Sequence, residues 1–532
     1  MSRAEPADAI PSSRTFDTST LLFLLAALIF LYAFLFVPPF LPLDHGGPDY
    51  LPFISDGKRM YEGEVMYRDF FEFLTPGAPL VYFILIKIFG PRLWIPELVL
   101  LLLGLALAWL SLVIAKKLMR PSVAFLPAAI FLAGVYKNEL DPTHHWFSLL
   151  ATTAALAILM ERRTPARIAA AGLLCGLAAC FTQSGGLAVT MGVGVFLWWE
   201  SRRRQEDWRS GLKKEAWLAA GFLATLVAFN AYFIREAGLA RFLWCTVTFV
   251  LKYWPQHDSG NIFVTYRACL PRFGSWHQFL RGSAGWLFLF VVIPFLHILF
   301  FARYWRDSGK RPVEFWERPM LLAIVSSFML LSIANAPTYP RLAINALPGI
   351  LLLGWFIDSP RKLGRALTAV LATGVMLVVP HALMKAQSIG KSILHTPQGE
   401  IAVTDPVVFE QCTWVQRHTR PSEYFYEAPW PITYFYLDLR NPTPVPFITP
   451  TGFVTSEQVA EAVLGLEQHN VHYVLWSPGE LDTIPAWAPP SGDHLGPLRD
   501  YLHSHFRVVK VFTNSDEVWE RSHWNPASEV RR

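Results

Sequence analysis

Long apolar runs separated by short polar breaks dominate the chain up to position 382. Residues 20–43 carry no charge, long enough as a helix to cross a hydrocarbon core of about 30 Å at about 1.5 Å per residue. The run is too long for the core of a signal peptide and no small-residue cleavage site follows it, so it is expected to stay in the mature protein. Further apolar runs lie at about 94–115, 121–136, 145–160, 168–182, 185–199, 216–234, 284–301, 320–334, 343–357 and 366–382. The pattern predicts about 11 transmembrane helices. Pro79–Phe89 is shorter and interrupted by Lys87, and is expected to lie in the interface.

Every second break is basic: Lys116, Lys117 and Arg120; Arg162, Arg163 and Arg167; Arg202, Arg203, Arg204, Lys213 and Lys214; Arg303, Arg306, Lys310 and Arg311; Arg361, Lys362 and Arg365. Lys and Arg are retained on the cytoplasmic side, so the alternation predicts an odd number of helices with the N-terminus inside. Residues 44–93, 137–144, 235–283, 335–342 and everything after about 383 then fall on the outer face, which is the periplasm or outer surface of a bacterium or the lumen in a eukaryote.

Beyond 383 the chain turns polar, aromatic and Pro-rich. Strand-like runs occur at Glu423–Tyr426, His472–Trp476 and Phe506–Phe512, and Ser456–His469 has helical periodicity. The expected organisation is a transmembrane domain over 1–382, with a catalytic first outer loop at 44–93, and a small soluble α/β domain outside the membrane over 383–532.

Composition sharpens this picture. Of 532 residues, 53% are hydrophobic and 16% charged, against roughly a quarter charged in soluble domains, which excludes disorder and a simple soluble enzyme. A net charge of +5 is too weak a bias for a nucleic-acid binder. The five cysteines, at 175, 180, 245, 269 and 412, are too scattered for a disulfide framework or a CxxC metal site. No Walker loop, GxGxxG or long-period repeat is present, which argues against a nucleotide-driven pump.

Candidate chemistry concentrates in two outer loops. Residues 43–80 hold seven carboxylates: Asp44, Asp49, Asp56, Glu62, Glu64, Asp69 and Glu72. Glu62 and Glu64 flank the turn-forming Gly63 and read as solvating charges. Asp44, Asp49 and Asp69 sit among aromatic and apolar residues, where an unpaired carboxylate is expensive. In the second loop, 136–146, Asp141-Pro142 reads either as an N-cap with proline in the first helical position or as a functional acid. His144 and His145 are adjacent, so on a helix they point about 100 degrees apart and rarely share one ion; no metal ligand is assigned. Arg341 and Arg68 are outer cations suited to an anion, with Lys137, Arg267 and Arg272 as weaker candidates. Thr182, Gln183 and Ser184 join two helices on the same side, through loop polarity or ligand contact.

Several runs resemble a known family. Asp49-Tyr50, Met60-Tyr61-Glu62-Gly63, Tyr67-Arg68-Asp69-Phe70-Phe71 and Thr75-Pro76-Gly77, with Leu140-Asp141-Pro142, are similar to the outer loops of polytopic glycosyltransferases of the C fold (GT-C). These enzymes include protein O-mannosyltransferases and lipid A aminoarabinose transferases, and take sugars from polyprenyl-phosphate carriers. Spacing back from Gly63 places Asp49, rather than Asp44, on the family's catalytic base. The resemblance implies an inverting glycosyltransferase in the bacterial inner membrane, with its site and C-terminal domain periplasmic, serving a cell-envelope glycan. Asp49 and Asp141 are the expected catalytic residues, Asp141 orienting acceptor or sugar. Tyr67, Asp69, His144, His145 and Gln183 are the expected substrate contacts. Two departures stand out: Tyr50 replaces a frequent Glu, and Thr75-Pro76-Gly77 replaces a Lys-Pro-Pro step whose Lys faces phosphate. Arg68 and Arg341 are therefore the expected donor-phosphate ligands, by placement rather than motif.

The resemblance implies no certain cofactor and leaves a divalent cation open. Its expected partners are a polyprenyl-phosphate-linked sugar, a glycan, lipid or protein acceptor, and membrane lipids, with no nucleic acid. A multi-pass transporter or lipid flippase would share the composition, but should carry mid-membrane ions or duplicated halves. A non-catalytic sensor or assembly protein would not need the acidic first loop.

Overall fold

The computed structural model describes residues 17–44, 49–253, 275–276, 284–334, 337–358, 362–450, 454–483 and 493–523; Arg267 and Arg272 lie outside them. Helical segments coincide with all the apolar runs: α1 (Thr18–Leu35), α4 (Ile95–Leu118), a broken stretch over 121–138, α5 (His144–Leu159), α6 (Pro165–Phe181), α7 (Gln183–Arg203), α8 (Trp208–Ala237), α9 (Ala284–Asp307), α10 (Val313–Ser332), the pair α11 (Tyr339–Asn345) and α12 (Leu347–Ile357), and α13 (Lys362–Ser388). Between α1 and α4 lie β1 (Phe36–Val37), β2 (Leu41–Asp44), α2 (Leu51–Tyr61) and α3 (Gly77–Phe89).

The expected count of eleven crossings is not confirmed by helix length and composition, and three shorter apolar helices, Gly77–Phe89, His144–Leu159 and Pro165–Phe181, fall below the length of a full span. Among the described residues six helices are long and apolar enough to span, or seven if α11 and α12, bent by 56°, make one span. Two further boundaries move. The run 20–43 is helical only to Leu35, because Pro38, Pro39 and Pro42 cannot donate within a helix; the rest forms β1 and β2. The last helix continues past 382 to Ser388.

Ion pairs among the described residues tie basic breaks to acids on neighbouring helices. Lys116 binds Asp17, which caps α1; Lys117 binds Glu161; Arg120 binds Asp358 at 2.7 Å. Arg163 bridges Glu200 at 3.0 Å and Glu317 at 3.2 Å, and all three side chains are buried. Pairing of this kind keeps buried charges tolerable and ties α7, α10 and the α5–α6 turn together.

Helices α6 and α8 pack through glycine. A Cβ on Gly172 would sit 2.2 Å from Leu218 O, and one on Gly221 2.2 Å from Ala169 O. Such contacts let backbones approach closely, the usual means of packing helices in lipid.

The fold also holds two four-stranded sheets, the first made of β1, β2 and two strands of the C-terminal region, the second of C-terminal strands alone. Strands β3 (Ser392–Thr396) and β4 (Gly399–Val403) are antiparallel, and β4 pairs in parallel with β2 through Leu43↔Ala402 and Asp44↔Val403. The second sheet has the order β5-β6-β8-β7, from β5 (Tyr426–Ala428), β6 (Tyr473–Trp476), β7 (Phe506–Val511) and β8 (Glu517–Arg521). Its first strand lies later than the expected Glu423–Tyr426. The helix expected over Ser456–His469 runs Ser456–Gln468, closed by a Thr455/Gln458 capping box.

The C-terminal domain is built onto the first loop. Besides the β2–β4 pairing, Lys58 Nζ donates to Leu439 O at 3.0 Å, Arg59 donates to Thr443 O at 3.0 Å, and Phe71 N donates to Pro444 O at 2.7 Å.

Replacing Gly221 by Ala forces a backbone contact apart, an overpacking that costs about 1–3 kcal/mol. The detergent-solubilised variant is expected to melt several degrees below wild type, whereas Gly374→Ala, where nothing lies within 4 Å of the new Cβ, should melt with it.

Candidate active site

Helix α2 starts without a side-chain cap of its own: Tyr50, at its N-cap, makes no such bond. The missing acceptor comes from another loop. Asp141 Oδ2 accepts a hydrogen bond from Asp49 N at 3.1 Å, and the Tyr50 amide also approaches this carboxylate. An anion at a helix N-terminus satisfies orphan amides and complements the dipole. The alternative reading of Asp141 as cap of its own helix is corrected here: α5 begins at His144 with Thr143 at the N-cap and no side-chain bond. Asp141 caps α2 in trans and thereby fixes the backbone of Asp49.

Three carboxyls and one guanidinium gather at this junction. Burial raises the Asp49 carboxyl above its usual range, and the charge of Arg341 pulls it back. Asp49 is nonetheless exposed by surface area. The carboxyl is therefore both desolvated and accessible. Burial, then the charges of Asp49 and Glu139, raises Asp141. Glu139 is pushed up to about 7 by burial and by Asp49. Asp141 Oδ1 is buried and receives no hydrogen bond from the described residues, which leaves it available to a ligand.

His144 and His145 open α5 beside this group. Their rings lie 3.9 Å apart, nearer than adjacent helical positions suggest, and His144 packs edge-on to Phe53 at 5.0 Å. His144 Nδ1 is buried without a hydrogen-bond partner among the described residues, and Arg341 acts electrostatically on both rings. Among the described residues no three His, Cys, Asp or Glu side chains converge as a metal site.

The remaining expected site residues are elsewhere. Arg68 pairs with Asp69 at 2.8 Å and Glu236 at 3.2 Å, and the charges acting on it are those groups and Tyr232, not Asp49. Of the two expected phosphate ligands, Arg341 is the one whose charge acts on Asp49. Asp69 Oδ2 accepts from Val65 N at 2.7 Å. Tyr67 is fully buried at φ 68°, with its hydroxyl donating to Leu74 O at 2.6 Å and its ring against Phe233 and Phe242. Gln183 Nε2 donates to Phe73 O at 2.9 Å, joining the α6–α7 turn to the first loop. Asp44 ends β2 and is buried.

Two participants were not singled out from sequence. Glu139 lies in the second loop, but nothing in its spacing marks it. Tyr50, noted only as a departure, meets Tyr436 of the C-terminal domain hydroxyl to hydroxyl at 3.1 Å, both rings buried. Asp49 is therefore steadied from both sides, by Asp141 through its own amide and by Tyr436 through its neighbour.

Asp141→Ala should cost about 1 kcal/mol of local stability, the usual worth of an N-cap. Amide hydrogen exchange over 49–54 is expected to accelerate about fivefold in this variant, with exchange in α6 and α8 unchanged; unaltered exchange at 49–54 would remove the capping role.

No protein-family model and no curated protein matches the chain. Solved structures do. ArnT from Cupriavidus metallidurans in the apo state aligns with a TM-score of 0.60 at 16% identity, covering 94% of this chain and 97% of ArnT. The same protein bound to undecaprenyl phosphate aligns with a TM-score of 0.58 at 15% identity, with the same coverage of both chains. At such identity the likeness is one of architecture: this chain is a polytopic helical protein with the GT-C fold that ArnT displays.

Proposed function

We propose that the protein is an inverting glycosyltransferase that moves a sugar from a polyprenyl-phosphate donor to an acceptor hydroxyl at the periplasmic face of a bacterial inner membrane. The observation that carries this reading is the Asp49 carboxyl held at the α2 N-terminus by the bond from its amide to Asp141, under the charge of Arg341, in a fold whose representative ArnT binds undecaprenyl phosphate.

The residues divide the work as the chemistry requires. A sugar on a phosphate carrier is already activated, because the phosphate departs as a stabilised anion. The protein must place the anomeric carbon, take a proton from the acceptor and neutralise the leaving group. Asp49 takes the acceptor proton as the hydroxyl oxygen forms its bond to the anomeric carbon. The carbon–oxygen bond to phosphate breaks on the opposite side, inverting the centre, and Arg341 faces the released charge. Desolvation makes Asp49 a stronger base than a solvated carboxylate. Asp141 holds Asp49 in place, and its open Oδ1 faces sugar or acceptor.

Arg68, Asp69, Tyr67 and Gln183 support the loop in this scheme, while His144 and His145 line the site. In this scheme positive charge at the junction is supplied by Arg341, and the chelator arm of the assay below tests for a divalent cation. The acceptor is a glycan, lipid or protein hydroxyl.

Purified protein incubated with a panel of radiolabelled undecaprenyl-phosphate sugars, with and without chelator, tests the proposal. Asp49→Asn should lower transfer by about 10²–10⁴-fold, the usual contribution of a general base, with an unchanged melting profile. Because Asp49 works ionised, the wild-type rate should rise with pH through its elevated pKa. Full activity in Asp49→Asn would discard the assignment.

A further inference from the structure

Two acids that the transfer chemistry does not use face each other inside the first loop. Asp56, in the middle of α2, has no exposed surface, and Glu72 is 1% exposed. Each carboxyl acts on the other, and two such acceptors can hydrogen-bond only when one carries a proton. Neither Asp56 oxygen receives a hydrogen bond from an N–H or O–H of the described residues. Glu72 Oε1, in contrast, accepts from Phe73 N at 2.8 Å and Leu74 N at 2.9 Å.

Glu72 belongs to a segment where three parts of the molecule meet. Phe71 N binds the C-terminal domain at Pro444, Phe73 O accepts from Gln183, and Thr75 Oγ1 donates to Ala179 O at 3.0 Å. Helix α2 carries Asp49 just before its first turn. A contact between Asp56 and Glu72 therefore couples the base to the α6–α7 turn and to the C-terminal domain. We propose that Asp56 and Glu72 share one proton and, as a pair of positioning residues, latch α2 to the 65–75 segment; the positioning role rests on the reading of Asp49 as base.

The surroundings favour a proton over full ionisation. Arg59 and Glu64 act on Asp56, but Arg59 is committed to Glu64 at 2.6 Å and to Thr443 O. Lys58, Glu62, Tyr434 and Arg440 line the small cavity next to Asp56. From α3 the Tyr82 side chain backs onto Gly57. Tyr67 faces both acids, and Cys245 faces Glu72. Lys58 is itself engaged by Glu62 and Asp438. Two anions here would lack a compensating cation, a costly arrangement in a buried site. Burial holds Glu72 up at about 7, and burial together with the Glu72 charge holds Asp56 well above its ordinary value. Above about pH 7 the neutral member is therefore Asp56, donating to an ionised Glu72. Both folded values exceed the unfolded ones, so this contribution to stability is complete below the ordinary carboxylate range of about 4 and is lost as pH rises from there through the folded values, that of Glu72 by about 7.

Infrared spectroscopy of purified protein at pH 8 tests the shared proton without any substrate. The difference between wild type and Asp56→Asn should contain the C=O band of a protonated carboxylic acid, and Glu72→Gln should lose the same band. The absence of that band from both differences would overturn the proposal, as would loosening of the 65–75 segment by chelator alone, which would indicate a bridging cation. For the positioning role, hydrogen exchange over 51–61 and 65–75 should run at least tenfold faster in Asp56→Ala than in Asp56→Asn, whose amide still donates to Glu72. The kcat of Asp56→Ala should fall at least tenfold below that of Asp56→Asn at similar KM; equal exchange or equal kcat in the two variants would overturn the latch. If Asp56→Ala does not fold, the infrared comparison decides alone. If wild type transfers no sugar, the proposed function fails while the infrared result stands.

Discussion

The hydrogen bond from the Asp49 amide to the Asp141 carboxylate is the constraint on which the rest of the site depends. It joins two loops far apart in sequence, supplies the N-terminus of α2 with the acceptor its own residues do not provide, and fixes the position of one carboxyl relative to another. Without it, Asp49 would lie on a frayed helix start. With it, Asp49, Glu139, Asp141 and Arg341 share one electrostatic environment. Like charges and burial raise the carboxyl pKa values while a single arginine opposes the rise. Such tension is characteristic of a site awaiting a ligand that brings its own charge.

The C-terminal domain belongs to that same constraint. Strand β4 extends from β2, Tyr436 meets Tyr50, and the carbonyls of Leu439, Thr443 and Pro444 accept donors from the first loop. A loop of this length beside a membrane would otherwise be mobile, because ordering it costs conformational entropy with little apolar burial in return. Here each side of α2 has a partner: α3 at Gly57, the second loop at Asp49 and the C-terminal domain at Lys58 and Arg59.

Hydrophobic runs made the helices legible, since a segment without charges can satisfy its backbone in lipid only by coiling. The same signal overran α1, because apolar content does not register that Pro38, Pro39 and Pro42 exclude a helix. Loop motifs located Asp49 and Asp141 but not what joins them: Asp141-Pro142 has the spacing of a local cap, and only the fold shows the helix it serves. Placement on the outer face singles out both Arg341 and Arg68; Arg341 acts electrostatically on Asp49, whereas Arg68 is held by its neighbour Asp69 and by Glu236. Tyr67 reads as a polar aromatic in a loop, yet its positive φ and buried ring make it a core residue. The pairing of Leu43 with Ala402 spans most of the chain, and no local pattern encodes it.

The central claim is spatial: a carrier phosphate and the Asp49 carboxyl share one cavity with Arg341. A cryo-electron microscopy structure of the protein with undecaprenyl phosphate tests this most directly. The account predicts the phosphate within hydrogen-bonding reach of the Arg341 guanidinium, with Asp49 facing the position a sugar would occupy. A phosphate seated elsewhere in the bundle, with Asp49 turned to solvent and Arg341 remote from it, would contradict the account.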